Sequence, residues 1–288
     1  ATFVELIYEL IRKPYVLEVV ADPKNAYKDN PIAAKILSYL LRRACFHANG
    51  VSYVTQFALQ NDYPCKARMQ TNQDEKYFES YYSSIILRKN FFSTPRTYGT
   101  MHNKIRLIHT ANNINNEVKG HDVVIKVVKK LFDAGINATI TFVGDGKRRP
   151  ELEHMAESLG IGNRVQFTGL LSSLDEVREK LLKADLFIFP TKAEGLPRAV
   201  IEAMAVGLPC LSTPVNGIPE LLQPQYMFDP MDVDGFVNAI SQLILNPAEM
   251  SRMSRMNINK ALEYEYEILD ERRSCFYAKL KKIVHART

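Results

Sequence analysis

The chain has 288 residues, 46% of them hydrophobic and 24% charged, with a formal net charge of +5. That length can bury one large core or two modest ones, and the composition is that of an ordinary globular protein rather than a disordered or fibrous one. The charge is too mild to demand a nucleic acid partner, no apolar run reaches the roughly 18 residues of a transmembrane helix, and the N-terminus lacks a signal-peptide pattern.

In chain order, a helix-like segment comes first, TFVELIYELIRK at 2–13, and it reads as a start inside a domain. PYVLEVVA (14–21) reads as a strand, PIAAKILSYLLRRACFHA (31–48) as a helix, GVSYVTQ (50–56) as a strand and YSSIIL (82–87) as one more. The stretch from Asn90 to Thr100 is polar and punctuated by proline and glycine, as expected of a linker. From about Lys104 the pattern becomes regular. KIRLIHTA, ATITFVG, RVQFTG, DLFIFP and LPCLST read as strands; HDVVIKVVKKLFDAG, RRPELEHMAESLG and SSLDEVREKLLKA read as helices between them. Continuous apolar strands alternating with amphipathic helices argue for a parallel, doubly wound sheet. Ligands of such sheets sit beyond the carboxyl ends of the strands, where the loops at 112–120, 144–148, 169–172 and 191–197 would lie. A long amphipathic helix, EYEYEILDERRSCFYAKLKKIV, closes the chain and is expected to return to the first domain. The basic excess falls early, around Arg12, Lys13, Arg42, Arg43, Arg88 and Lys89. A solvated face explains it, and a membrane surface or an acidic acceptor is the sharper alternative.

The most informative stretch is FPTKAEGLPRAVIEAMAVGLPCLSTPVNGIPELL, Phe189 to Leu222. An apolar strand ends at Pro190, a short turn follows, and a helix begins at Pro197, since proline suits a first helical position. Glu194 then lies on the loop and Glu202 about one and a half turns inside the helix. Helix N-termini attract phosphate, and two flanking carboxylates suit hydroxyl-bearing groups on either side of a diphosphate. Two glutamates eight apart can also arise by chance. The apolar surround of Glu202 (Val200, Ile201, Ala203, Met204, Ala205) makes an unpaired charge there costly, so it needs partners.

Other signals are weaker. GDGK at Gly144 to Lys147 follows a strand, yet it completes neither a P-loop nor a dinucleotide fingerprint, and a plain tight turn explains it as well as a nucleotide-contacting loop. Lys119-Gly120 before a helix is either a surface turn or a point charge for a diphosphate. Cys45, Cys65, Cys210 and Cys275 form no CxxC and have no histidines at metal spacing, and the six histidines are dispersed, so reduced and mostly buried thiols are expected and no metal site. No nucleophile elbow or Cys/His pairing is present. Transfer from an already activated donor fits such a chain.

Taken together, VKG (118–120), TFVGDGKRRPELE (141–153), NRVQFTGLL (163–171) and the 184–222 stretch with its E-x7-E pair resemble the retaining glycosyltransferases of family 4, the group 1 glycosyltransferases of GT-B fold. The match is strong over about 104–245 and loose elsewhere. The resemblance implies an α/β protein with two Rossmann-like domains of parallel sheets, the N-terminal one incomplete: 1–98 as acceptor-side domain, 99–265 as nucleotide-sugar-binding domain and 266–288 as a helix packing back on the first. It implies a hexosyltransferase that moves a sugar from a UDP-, GDP- or ADP-sugar to a glycan or lipid-linked acceptor, with retention and without a bound metal. Glu194 and Lys119 would be the catalytic residues, Glu194 on the donor sugar's hydroxyls and Lys119 on the departing diphosphate. Glu202 would hold the ribose hydroxyls, the backbone N–H groups of Gly195 and Leu196 would face sugar and diphosphate, Gly144 and Leu170 would approach the nucleoside, and Thr191 and Arg198 would complete the donor-binding set. The implied setting is cytoplasmic polysaccharide or glycoconjugate biosynthesis, with peripheral contact at the inner face of the membrane left open and no nucleic acid partner.

Two departures stand out. The family's arginine in G-R-L-x-x-x-K-G has no counterpart in TANNINNEVKG, where Asn112, Asn113 and Ile114 lie near its place. The family's opening strands and glycine-rich acceptor loop also find no match, so an N-terminally truncated transferase is expected. A non-catalytic nucleotide-sugar-binding module and a sugar-nucleotide epimerase of the same fold are the alternatives.

Overall fold

The structure, a computed structural model, describes residues 13–27, 30–69 and 75–286. The helix expected over 2–13 therefore lies, apart from Lys13, outside the described residues. The chain divides into two units: one gathers the described residues up to Ile86 with Ala193–Leu196 and those from Tyr264 onward, the other Leu87–Lys192 and Pro197–Glu263.

The first unit is built on a three-stranded parallel sheet in the order β1-β2-β3, with β1 at Val16–Val19, β2 at Gly50–Tyr53 and β3 at Phe78–Tyr81. Helix α1, Pro31–His47, connects β1 to β2; Pro31 opens it and the Asn30 side chain accepts from the Ala33 N–H at 3.0 Å. Val19, Cys45, Val51, Tyr53, Leu59 and Tyr63 make its core. The third strand is FESY, not the YSSIIL expected. After the Tyr53–Tyr81 pairing the chain leaves the ladder: the Ser83 hydroxyl accepts from the Ile85 N–H at 3.2 Å, while Ile85 and Leu87 are buried. Ile85 is buried without joining the ladder and Leu87 makes no more than an isolated bridge, a difference from a strand that a hydropathy pattern cannot show. The terminal helix, Tyr266–His285, lies against β3 with Phe276 edge-on to Phe78 and Tyr82.

The second unit holds a five-stranded, all-parallel sheet in the order β6-β5-β4-β7-β8, with β4 at Lys104–Asn113, β5 at Asn137–Asp145, β6 at Val165–Phe167, β7 at Leu186–Ile188 and β8 at Cys210–Leu211. The connecting helices are α2 (His121–Asp133), α3 (Arg149–Ser158), α4 (Leu174–Lys183) and α5 (Arg198–Ala205). Its core joins Leu107, Phe142 and Ile188 of the sheet to Val124, Val128 and Leu131 of α2 and to Phe236 and Ile240. Gly135 and Gly160, at positive φ just beyond α2 and α3, end those helices where the sequence placed their stops. Pro197 sits one position earlier than expected. Its extended backbone (ψ 108°) makes it the N-cap, and Arg198 is the first helical residue.

The stretch expected as a linker is instead bonded into the second unit. The Arg96 guanidinium donates to the carbonyls of Val206 (2.9 Å), Ala184 (2.7 Å) and Leu181 (3.1 Å), and the N–H groups of Arg96 and Tyr98 donate to the hydroxyls of Ser254 and Ser251. One side chain thus reaches carbonyls at the C-terminal ends of both α4 and α5, where helices leave C=O groups short of helical partners. Cys45, Cys65 and Cys210 are buried thiols, and Cys275 is exposed.

Candidate functional site

From β4 the chain winds one way to β5 and β6, then returns to place β7 and β8 on the other side of β4. The reversal falls between β4 and β7, and in open parallel sheets the crevice beyond such a point is where ligands bind. Two loops flank it, one leading from β4 to α2 and one from β7 to α5.

These loops touch through their backbones. Gly120, between Lys119 and α2, is left-handed (φ 71°), and a Cβ there would meet the Pro190 carbonyl oxygen at 2.2 Å. The Val118 carbonyl accepts from the Lys192 N–H at 2.7 Å and from the Thr191 hydroxyl at 3.1 Å. Thr191 is buried, and its own carbonyl accepts from the Thr213 hydroxyl at 2.7 Å. Its side chain therefore fixes the joint between the loops.

The β5–α3 turn extends the rim. The Ile114 N–H donates to the Asp145 carbonyl (2.9 Å), the Arg148 N–H to the Ile114 carbonyl (3.0 Å) and the Lys147 N–H to the Asn115 side chain (2.8 Å). Gly144 has φ 137°, a Cβ there would lie 1.8 Å from the Ala111 carbonyl oxygen, and its N–H donates to the Gly169 carbonyl at 3.0 Å. GDGK is thus a tight backbone joint among the ends of β4, β5 and β6. Leu170, next on the rim, is 64% exposed.

Helix α5 carries Arg198, exposed on its first turn, and Glu202 one turn on. The Glu202 carboxylate is only partly accessible. Burial raises its pKa, Arg198 opposes the rise, and no described residue hydrogen-bonds to it. A buried carboxylate without donors is costly, so Glu202 is an acceptor whose demand this unit leaves unmet. Glu194, Gly195 and Leu196 group with the first unit rather than with these residues. There a Cβ on Gly195 would meet the Val20 carbonyl oxygen at 2.5 Å, and Leu196 is buried.

Sequence reasoning missed a histidine pair under the rim. His109, on β4, and His121, opening α2, lie with ring centroids 4.3 Å apart and are almost fully buried. Burial pushes His109 down to about 4, and it pushes His121 down to about 2 with help from the nearby His109, Arg148 and Lys119. Both rings are therefore neutral at ordinary pH. His109 Nε2 lies 2.8 Å from the Lys119 carbonyl oxygen, an acceptor, so that nitrogen carries the proton and donates. Lys119 is held from beneath by its backbone, with its Nζ 5.7 Å from the Phe189 ring centroid. Twelve residues of separation concealed the pair; the signal was the inward register of His109 within an otherwise apolar strand. No cluster of three metal-ligating side chains occurs among the described residues, and none of their helices is long and apolar enough to cross a membrane.

The comparisons with known proteins agree with this architecture. The sequence profile of the glycosyl transferases group 1 matches residues 102–260. Protein CapJ of Staphylococcus aureus is 30% identical over 285 residues, covering 97% of this chain and 69% of CapJ. The N-acetyl-alpha-D-glucosaminyl L-malate synthase of Bacillus anthracis is 29% identical over 163 residues, 56% of this chain and 41% of the synthase. Among solved structures, sucrose-phosphate synthase from Thermosynechococcus elongatus superposes with TM-score 0.75 at 14% identity, over 98% of this chain and 72% of that one. Anabaena HepE in complex with UDP superposes with TM-score 0.71 at 17% identity, over 96% and 76%. At such identities the structural likeness speaks for the fold alone, which is α/β with parallel sheets, of GT-B type. By the profile match and the likeness to CapJ, the chain belongs to the group 1 glycosyl transferases.

Proposed function

We propose that the protein moves a hexose or related sugar from a nucleoside-diphosphate donor to a glycan or lipid-linked acceptor, with retention of anomeric configuration. The observation that carries the reading is Glu202, a half-sunk carboxylate without a protein donor, in the unit whose β4–β7 reversal also bears Lys119. Family membership and the UDP bound in the HepE structure support a nucleotide-sugar donor.

In this reading the second unit is the donor side and the first unit the acceptor side. Glu202 accepts from the ribose hydroxyls, while the close-packed backbone at Gly144 and the exposed Leu170 meet the nucleoside. Arg198 and the first N–H groups of α5 face the diphosphate, for which Pro197 supplies no competing side-chain acceptor. Glu194 accepts from the donor sugar's hydroxyls, and the Gly195 and Leu196 N–H groups lie along the sugar and diphosphate. The acceptor oxygen bonds to the anomeric carbon as the bond from that carbon to the diphosphate oxygen breaks, and the acceptor's proton passes to the departing diphosphate on the same face. Negative charge grows on the diphosphate during that step, so Lys119 stabilises the transition state more than the ground state.

Calorimetry with UDP-, GDP- and ADP-sugars, followed by assays of donor hydrolysis and transfer, tests the proposal. Binding of one donor together with transfer, or slow hydrolysis when no acceptor is added, is the expected result. Binding with neither favours a non-catalytic module, and inversion at a sugar carbon of the donor favours an epimerase. If Glu202→Ala and Glu194→Ala leave donor binding and turnover unchanged, the site is wrongly assigned.

A further inference from the structure

We infer that Lys192 is a second cation for the donor diphosphate and that Glu117 is its built-in counterion, displaced when the donor arrives. This rests on the donor reading above. Glu117 lies two residues before Lys119 on the β4–α2 loop, with each carboxylate oxygen turned to a different cation. Its Oε2 is 3.3 Å from Lys192 Nζ, and its Oε1 is 4.0 Å from Arg148 Nη2. The three side chains are unequally immersed: Glu117 is 63% exposed, Lys192 22% and Arg148 15%. The carboxylate thus projects into water at the mouth of the β4–β7 reversal, above two cations that are mostly sunk.

Lys192 cannot drift from this position. Its N–H is bonded to the Val118 carbonyl, so the main chain that bears it is fastened to the loop that bears Lys119. Lysines therefore arrive at the reversal from both loops, Lys119 from one and Lys192 from the other. An exposed carboxylate–ammonium pair is weak and readily screened. A diphosphate brings more negative charge and more acceptor oxygens than one carboxylate, so it competes well for the ammonium. Glu117, once displaced, has somewhere to go. Arg148 lies on its other side, held by Glu151 at 2.6 and 3.0 Å, and remains close to it. Until the donor binds, Glu117 balances the charge of Lys192 and keeps that side chain aimed across the loop.

The opposing explanation is that the Glu117–Lys192 pair only staples the two loops together. The two ideas predict opposite signs for one substitution. Calorimetry on the 288-residue protein would compare the nucleoside diphosphate it binds best, among UDP, GDP and ADP, with the corresponding nucleoside. Lys192→Met should weaken diphosphate binding by about tenfold, and Glu117→Gln should tighten it by about two- to fivefold at low salt. Neither should alter nucleoside binding. Equal weakening by both variants identifies a staple and overturns the inference, as does a Lys192→Met protein that binds the diphosphate like the wild type. Failure of the wild type to bind any of the three diphosphates would instead remove the donor reading, and the inference with it.

Discussion

Glu202 is a carboxylate that the fold half-buries without supplying a donor, and the proposed donor site would recover that cost through ribose hydroxyls. Glu202→Ala is expected to weaken nucleotide binding by about tenfold. The loss should be selective: the wild type should prefer a ribonucleotide over its 2′-deoxy analogue, and the variant should bind both alike in calorimetry. Equal losses for the two ligands would mean that Glu202 serves packing instead. His109 and His121 give a second prediction at this scale. An imidazole ordinarily takes up its proton near pH 6.5, whereas burial holds His109 down to about 4 and His121 lower still. Between these values the unfolded chain binds protons that the folded one refuses, so stability is complete above pH 6.5 and declines as the pH falls towards 4. Denaturation midpoints of wild type and His109→Phe/His121→Leu, compared at pH 7 and pH 5, should show a smaller drop for the double variant. An identical drop in both proteins would clear the pair of responsibility. The sequence exposed the two residue classes unequally. Glu202 stood out because its apolar neighbours made a charge conspicuous, whereas the histidines meet only where the β4–α2 loop folds back on itself, and the Glu117–Lys192 contact depends on the parallel pairing of β4 with the distant β7.

At the scale of elements, the rim is made of backbone meeting backbone, and its glycines are the points of contact. Gly144→Ala would force a side chain into a left-handed residue and against the Ala111 carbonyl oxygen. A destabilisation of about 2–4 kcal/mol is expected, read as a lower urea midpoint, with donor binding lost in parallel. Arg96→Met should cost about 2–3 kcal/mol, because three carbonyls lose their charged donor at once. The same urea titration checks it, and an unchanged midpoint would show that water replaces the guanidinium without loss. The strands and helices after Lys104 could be read from periodicity because the strands are short, largely apolar runs and α2, α3 and α5 are each followed by a left-handed glycine, Gly135, Gly160 and Gly207. The segment around YSSIIL could not, since Ile85 and Leu87 are buried by tertiary packing while the segment forms no strand beyond an isolated bridge at Leu87. The stretch around Arg96 looked like a linker for a related reason: its composition is that of a loop, and what fixes it lies on residues about 85 to 158 positions away.

For the whole molecule, the prediction concerns where a ligand's stabilisation appears. A nucleoside diphosphate at about a hundred times its dissociation constant should stabilise the folded protein by about 2.7 kcal/mol. Hydrogen exchange should slow at 112–120 and 144–148 in the second unit and stay unchanged in β1–β3 of the first. Protection spread equally over both sheets would contradict a donor site centred on the β4–β7 reversal. The alternation of strand and helix announced the second unit's sheet, and the terminal helix was expected to return to the first unit, whereas the membership of 193–196 was not visible, because no local pattern groups those residues with the ones before Leu87.

The interrupted make-up of the first unit also sets the timetable of folding during synthesis. Phe276, buried against Phe78 and Tyr82, is translated almost two hundred residues after them. The second unit has all of its residues once Glu263 has left the ribosome, while the β3 flank of the first sheet stays uncovered until the terminal helix emerges. Strands β1–β3 are thus finished only after the second unit is complete, and translation that stalls before Phe276 would leave a protein with an intact second unit and an exposed aromatic face, a ready substrate for chaperones.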